Sequence, residues 1–165
     1  NMPITMMRFF TVYGPWGRPD MALFRFTKNI LLNKSIEVYN YGKMMRDFTY
    51  IDDIAKSIYL LSKKVPKVLK SSSKNKFNDF NSVAPFRIVN IGNSQKVKLM
   101  DFISAVEEEI GKKAKMKMKK MQTGDVASTL SDTRYLFSLT GFRPMTNYKS
   151  GIKKFIQWYK EYYKY

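Results

Sequence analysis

The sequence contains no cysteine and no histidine among its 165 residues. Without cysteine there is no disulfide scaffold, no thiolate zinc site and no cysteine nucleophile. Without histidine there is no Ser-His-Asp catalysis, so any proton transfer falls to Asp, Glu, Tyr or Lys. No apolar run approaches the roughly 20 residues of a membrane span, and the first residues do not resemble a signal peptide. We therefore expect a cytoplasmic protein with no metal site and no membrane partner.

Acidic residues are also scarce, because 13 Asp and Glu stand against 30 Lys and Arg, giving a net charge of +17. Such an excess attracts the phosphates of nucleic acids, membranes or nucleotides. Most of the cations are lysines scattered through polar stretches, which is typical of a solvated surface. The arginines differ, since Arg8, Arg18, Arg25 and Arg46 fall within the first 46 residues. Arginine makes planar two-point contacts to phosphate and carboxylate groups.

The length suits one domain, and the hydrophobic pattern alternates between strands and helices, which predicts the α/β class. The predicted strands are 4–12, 35–42, 46–51, 85–92 and 113–119. The predicted helices are 21–33, 52–64, 98–110, 133–139 and 148–164. We expect the first strand to be buried, Asp20 to cap the first helix, and residues 67–82 to form a long exposed loop.

Lysines alternate with apolar residues along the last predicted strand, 113–119. Period two predicts an edge strand with one apolar face and one lysine face. Two functions are open for that face: a solvated surface that hinders aggregation, which we favour, or an anion-binding ribbon.

Glycine-rich nucleotide loops are missing, since neither GxGxxG nor GxxxxGK[ST] occurs in the sequence. Two Tyr-x-x-x-Lys strings do occur, Tyr39…Lys43 and Tyr59…Lys63. The first passes through Gly42 at a strand end, and nothing ties the second to a dinucleotide site. The acidic pair Asp52 and Asp53 is better explained as the start of a helix than as catalytic carboxylates. We therefore predict no catalytic residue in this chain.

Several long strings follow one another in an order that is shared with a known family. They are RFFTVYGPWGRPDMALFRF (8–26), RDFTYIDDIA (46–55), NIGNSQ (90–95), MQTGDVASTLSD (121–132) and GFRP (141–144) before a last helix that contains WY. Together they resemble the UDP-glucuronate 4-epimerases, NAD-dependent enzymes of the extended short-chain dehydrogenase/reductase type. Such an enzyme is an isomerase that supplies precursors of cell-surface polysaccharides.

The resemblance spans residues 4–165 and covers only the C-terminal, substrate-binding half of the family. It implies that strands 4–12 and 85–92 belong to a Rossmann sheet. The N-terminal half, with its glycine-rich NAD loop, Ser/Thr hydroxyl and Tyr-x-x-x-Lys pair, is then absent from 1–165. In the family reaction that Tyr removes the C4 hydroxyl proton, NAD takes the C4 hydride, and the hydride returns to the opposite face of the keto-sugar. We therefore expect NAD to bind the full-length enzyme and not this chain, which is inactive alone.

The resemblance also implies which residues contact the sugar end of the substrate. Thr11, Arg18 and Arg25 match positions near the uronate carboxylate, although Arg25 also suits the pyrophosphate. Arg25 is the strongest candidate because a cation between Phe24 and Phe26 must leave the core or meet an anion. The alternatives are a strand threonine that satisfies its own hydroxyl and ordinary surface arginines.

The remaining implied contacts lie at the nucleotide and cofactor ends. Arg46 matches the phosphate-binding arginine, Tyr39 lines the uracil, and Gln122 and Asp125 lie near phosphate and ribose. Thr123 replaces the family's usual proline, which predicts a looser loop there. Phe10 and Tyr13, together with Phe9, would neighbour the nicotinamide and would be left with uncovered rings in this chain.

Two other functions stay open. One is the same chemistry on another sugar nucleotide, as in a galactose epimerase or a dehydratase. The other is a non-enzymatic basic domain that binds nucleic acid, which is less favoured because the cations are not interleaved with aromatics along one groove. Strands of a sheet that lacks its other half would expose apolar edges. Such a chain would form a homodimer, exchange a segment with a second copy, or be the ordered part of a longer chain.

Overall fold

The computed structural model describes residues 2–68 and 84–165. Its strands are β1 Ile4–Phe9, β2 Val12–Tyr13, β3 Ser35–Val38, β4 Met45–Asp47, β5 Thr49–Tyr50, β6 Phe86–Ile91, β7 Lys96–Lys98 and β8 Lys115–Met118. Its α-helices are α1 Ala22–Leu31, α2 Ile51–Ser62, α3 Leu99–Ile110, α4 Arg134–Thr140 and α5 Tyr148–Tyr163. The α/β class is confirmed. The predicted loop 67–82 lies, apart from its first two residues, outside the described residues.

The described strands pair two by two. β1 with β6, β2 with β5 and β3 with β8 are parallel, whereas β4 with β7 is antiparallel. Parallel neighbours need a crossover connection, and helices supply it here. Within residues 2–68 and 84–165 we find no helix both long and apolar enough to cross a membrane.

The prediction of one buried strand over 4–12 is wrong in two respects. The strand stops at Phe9 and resumes as β2, and β1 is largely exposed, with Ile4 at 42 % and Met6 at 51 %. Met7, on the other face, packs against the small core that includes Ile54 and Leu61 of α2. A strand inside a parallel sheet is apolar on both faces because both are covered, and the described residues cover only one face of β1.

Local backbone geometry corrects three further predictions. The strand over 35–42 ends at Val38, because Tyr39–Gly42 forms a 3₁₀ turn in which Asn40 and Tyr41 have φ of 49° and 50°. The strand over 46–51 is broken at Phe48, whose buried ring stacks on Phe102 at 3.9 Å between centroids. Asp20 does not cap α1, since the N-cap residue is Met21 and makes no side-chain capping bond.

The larger core lies where α1, α3 and α5 pack together and against β3. The apolar residues at helical spacing in α5 are all buried: Ile152, Phe155, Ile156 and Tyr159. Gly111 and Gly141 end α3 and α4 with left-handed φ of 77° and 68°, a conformation that glycine adopts at little cost.

The lysine-rich strand is confirmed as β8, which pairs in parallel with β3 and places Met116 opposite Ile36. Ala114 and Met116 pack against the larger core, and the intervening lysines are exposed. Met118 shares that face by alternation but is left 46 % exposed.

Candidate functional site

A cleft of about 420 Å³ opens at the carboxyl end of β1. Its volume falls in the range of roughly 300–1,000 Å³ that is typical of small-molecule sites. In open α/β sheets, ligands bind beyond the carboxyl ends of the strands, which is where this cleft lies. Four of the predicted site residues line it together, along with Phe9 and Trp16: Phe10, Thr11, Tyr13 and Arg18.

A tight turn after β2 builds one wall of the cleft. Gly17 donates its backbone N–H to the Gly14 carbonyl at 3.1 Å. Gly14 has a φ of 144°, and a β-carbon at this position would collide with the Ile51 side chain. Only glycine fits there. The close packing of this turn on α2 sets the path of the chain toward Arg18.

Arg18 holds its charge at the mouth of this cleft. Its side chain is 75 % exposed and donates two hydrogen bonds to Asp20, from Nε to Oδ1 at 3.0 Å and from Nη2 to Oδ2 at 2.5 Å. The bond from Arg18 lowers the pKa of Asp20 and raises the pKa of Arg18 itself. Asp20 is therefore a partner of Arg18, which explains why it does not cap α1.

A second group of site residues gathers around Arg46. Its guanidinium donates from Nη2 to Asp125 Oδ1 at 2.8 Å and from Nη1 to the Met45 carbonyl at 2.9 Å. The Arg46 side chain is only 15 % exposed. Asp125 N donates to the carbonyl of Gln122 at 3.2 Å, which closes a turn at exposed Gln122. Three residues predicted for the nucleotide end thus lie together although they are distant in sequence.

The segment that carries Asp125 is fixed to β4 by its backbone. Met45 N donates to the Ala127 carbonyl at 2.9 Å, and Thr129 N donates to the Met45 carbonyl at 3.2 Å. This pairing explains how residues 122–132 hold a defined position beside Arg46.

Arg25 belongs to a third group and does not line the cleft of Thr11 and Arg18. Its Nη2 lies 3.8 Å from Glu37 Oε2, and the Tyr39 hydroxyl donates to the same carboxylate oxygen at 2.8 Å. That hydrogen bond lowers the pKa of Glu37 and raises the pKa of Tyr39. Because Phe24 and Phe26 turn into the core, Arg25 is left on the outer side of α1, half exposed. The expected convergence of all three sugar-end residues is therefore not observed.

The expectation of uncovered aromatic rings is correct for Phe9, which is 47 % exposed, and wrong for Tyr13. Tyr13 is only 5 % exposed, and its ring lies edge-on to Phe48 and Phe102. Burial raises the pKa of its hydroxyl, which donates to the Tyr148 carbonyl at 3.4 Å. Sequence reasoning missed the space that Gly151 leaves in α5, where a β-carbon would meet the Tyr13 ring.

Sequence reasoning also missed Asp47, which is completely buried. Its carboxylate accepts backbone N–H bonds from Asn93 at 2.9 Å, Ser94 at 3.0 Å and Ser131 at 2.8 Å, and the Ser131 hydroxyl at 2.5 Å. It ties β4 to the turn after β6 and to the end of segment 122–132. The available signal was an acid within an alternating strand, since a buried carboxylate needs donors. Asp47 fixes the strand from which Arg46 projects.

Asp53, in the first turn of α2, has a different role from capping. The N-cap position belongs to Tyr50, and Asp53 Oδ2 instead accepts from Met145 N and Thr146 N at 3.2 and 2.9 Å. Asp53 thus tethers the segment before α5.

The residues present do not fit a whole dinucleotide. The exposed ring of Phe9 and the half-buried Phe10 could cover a flat aromatic group, but the sequence contains no glycine-rich loop for a pyrophosphate. Within the described part of the chain, no group of three or more acidic residues is placed to hold a metal ion.

Curated relatives match almost the entire chain. Protein CapI of Staphylococcus aureus is 49 % identical over 164 residues, which cover 99 % of this chain and 49 % of CapI. A probable UDP-glucuronate 4-epimerase of Rhizobium meliloti is 45 % identical over 165 residues, covering 99 % of this chain and 48 % of that protein. The chain therefore spans about half the length of these relatives.

Solved structures give the same result. The UDP-glucuronic acid 4-epimerase of Bacillus cereus, in complex with UDP-glucuronic acid and NAD, superimposes with a TM-score of 0.80 at 29 % identity. The match covers 98 % of this chain and 46 % of that one. Residues 1–92, more than half of the chain, match the NAD dependent epimerase/dehydratase family. This chain belongs to the NAD dependent epimerase/dehydratase family.

Proposed function

We propose that this chain is the substrate-binding half of an NAD-dependent enzyme that interconverts UDP-glucuronate and UDP-galacturonate. The observation that carries the proposal is the pairing of half-buried Arg46 with Asp125, at the position that the family resemblance assigns to the UDP phosphates. The relatives named as UDP-glucuronate 4-epimerases support the choice of sugar nucleotide.

Arg46 binds the diphosphate in this proposal. A guanidinium forms two-point, charge-assisted bonds to phosphate oxygens, and low exposure strengthens them. Asp125 and the Met45 carbonyl hold the guanidinium plane in one orientation before the ligand arrives. Such preorganisation reduces the entropy that binding costs.

The cleft at the end of β1 takes the sugar. Thr11 offers a hydroxyl and Arg18 a cation within one cavity, which suits a carboxylate on the hexose. Arg25 serves the nucleotide end in this proposal. Its carboxylate neighbour, Glu37, is bonded to Tyr39, and Arg25 does not share the cleft of Thr11. Gln122 completes that end through the turn it forms with Asp125.

In this proposal, bound NAD supplies the hydride chemistry, and the half of the enzyme that carries the glycine-rich loop and the Tyr-x-x-x-Lys pair supplies the proton transfer. The tasks of the chain are to bind the nucleotide sugar and to orient its hexose. In this proposal, the 165 residues alone do not catalyse epimerisation.

Calorimetric titration of Arg46→Ala in the full-length enzyme tests the assignment. The variant should bind UDP and UDP-sugars alike more weakly by about 1.5–3 kcal/mol, and Arg46→Lys should recover part of that loss. Arg143→Ala is the matched control, because Arg143 is exposed and stacks on Phe137 of α4. Unchanged UDP affinity in Arg46→Ala would remove Arg46 from the phosphate site.

A further inference from the structure

Trp16 is 72 % exposed, yet its ring is packed against a distant helix. Its ring centroid lies 5.3 Å from that of Trp158 and 5.1 Å from that of Tyr162, the latter edge-on at 74°. Trp158 and Tyr162 stack on one another at 5.6 Å and 23°. We name these three residues the aromatic clamp. It joins the turn after β2 to α5, and such aromatic pairs contribute beyond their buried area.

The backbone at Trp16 is strained. Its φ of 62° lies in the left-handed region, which bulky residues with a β-carbon rarely adopt. A conformation of this kind persists only where the surroundings determine it, and it clusters at ligand-binding segments. The ring contacts of the aromatic clamp are the surroundings that hold Trp16 in place.

The strained turn carries Arg18 two residues further on. Trp16 and Arg18 line the same cleft, and both side-chain hydrogen bonds that Arg18 makes in the described structure go to Asp20. Met21 N donates to the Arg18 carbonyl at 3.1 Å, so this segment is bonded mainly within itself. Its position relative to the rest of the molecule therefore depends on the Gly14 packing at one end and on the aromatic clamp.

We propose that Trp16 is a positioning residue that, through Trp158 and Tyr162, holds Arg18 over the sugar end of the cleft. This inference rests on the proposed function, because it assumes that Arg18 meets the uronate carboxylate. Its consequence is that α5 contributes to sugar selection through Trp158, a side chain that is not among those lining the described cleft.

The test titrates UDP, UDP-glucose and UDP-glucuronate into full-length wild type, Trp16→Ala, Trp16→Phe and Trp158→Leu. Trp16→Ala and Trp158→Leu should each lower the preference for UDP-glucuronate over UDP-glucose by about tenfold, with UDP affinity unchanged. Trp16→Phe should retain most of the preference, since it keeps an aromatic ring. Tyr59→Ala is the control, because Tyr59 is a 58 % exposed aromatic residue on α2.

The rate of backbone amide hydrogen exchange in residues 14–21 of the same variants measures, without any ligand, how firmly the aromatic clamp holds this turn. Exchange should accelerate in Trp16→Ala and Trp158→Leu and stay at the wild-type rate in Tyr59→Ala. Unchanged exchange in both clamp variants overturns the inference, as does an unchanged sugar preference. A loss in Trp16→Ala without one in Trp158→Leu also overturns it, since Trp16 would then contact the ligand directly. A wild type that binds none of the three ligands instead contradicts the proposed function, while the exchange result still decides on the clamp.

Discussion

Asp47 is a buried carboxylate that accepts hydrogen bonds from two other segments of the chain, the turn after β6 and the end of segment 122–132. Asp47→Ala would leave the backbone N–H of Ser131 without its acceptor in the interior. The N–H groups of Asn93 and Ser94 would keep only their 3.2 Å contacts to the hydroxyl oxygens of Thr49 and Ser131. Because hydrogen bonds to charged groups contribute about 1.5–3 kcal/mol each and are not additive, we expect a loss of about 3 kcal/mol or more in the free energy of unfolding. Asp47→Asn should lose less, since it keeps one acceptor oxygen.

Urea unfolding of the variants measures this loss. Asp132→Ala is the matched control, because Asp132 is 53 % exposed and pairs with Arg134 at the surface. Exposed pairs contribute about 0–1 kcal/mol. Equal destabilisation by Asp47→Ala and Asp132→Ala would contradict the role assigned to the buried carboxylate.

The structure changes the expected role of Arg25, which the sequence makes the strongest candidate for the sugar end. Its neighbour is Glu37, which also accepts from Tyr39, and the proposed function therefore assigns Arg25 to the nucleotide end. Arg25→Ala should therefore weaken UDP, UDP-glucose and UDP-glucuronate by similar factors, about tenfold. Titration of all three ligands checks this. A loss confined to UDP-glucuronate would return Arg25 to the uronate carboxylate.

The end of α3 depends on one buried acid, Glu107. It accepts from Lys113 Nζ at 2.7 Å and from Ala114 N at 2.8 Å, which joins the helix to the start of β8. Burial raises the pKa of Glu107, but the bonds from Lys113 and Ala114 outweigh it and hold the pKa below its ordinary value of 4.5. Its stabilising contribution is therefore present above pH 4.5 and is lost as the pH falls through the lowered value.

The pH dependence follows from that sign. Glu107→Gln should be less stable than wild type at pH 7, and the difference should shrink as the pH drops below 4.5. Thermal unfolding between pH 7 and pH 3 measures it. Glu108→Gln is the control, since Glu108 is 65 % exposed and only 3.6 Å from Lys149. A difference that stays constant with pH would mean that the carboxylate charge is not involved.

The elements that sequence predicted well are those whose signals are local. α3 and α5 have apolar residues at helical spacing. Gly111 and Gly141 end α3 and α4, and a glycine after a helical pattern is a local stop signal. The grouping of Arg46 with Asp125 followed from the family resemblance. The turn at Tyr39–Gly42 could not be predicted, because alternation in the preceding strand suggested that it continues.

Contacts between distant segments account for the other failures. Ser131 reaches Asp47 across 84 positions, and nothing near Asp47 in sequence announces that donor. The burial of Tyr13 depends on the absence of a side chain at Gly151 in α5. The sequence correctly placed Arg25 on a helix, but its partner Glu37 lies on β3, and helical spacing carries no information about that contact.

On the whole molecule, the most conspicuous surface is the uncovered face of β1. Ile4 and Met6, on that face, are 42 % and 51 % exposed, in a strand apolar enough for the middle of a sheet. Phe9, at the end of the strand, is 47 % exposed. Apolar surface of this kind typically marks an interaction site. In the proposed enzyme the remaining half of the protein covers it, and in the chain alone a homodimer stays a prediction.

The substrate assay on purified full-length protein tests the proposed function. UDP-glucuronate, UDP-glucose and UDP-N-acetylglucosamine are each incubated with the enzyme and NAD, and the epimeric products are separated by chromatography. We expect UDP-galacturonate to form from UDP-glucuronate much faster than either other sugar reacts, and the 165-residue chain alone to yield no product. Faster conversion of UDP-glucose or UDP-N-acetylglucosamine, or epimerisation by the isolated chain, would contradict the account.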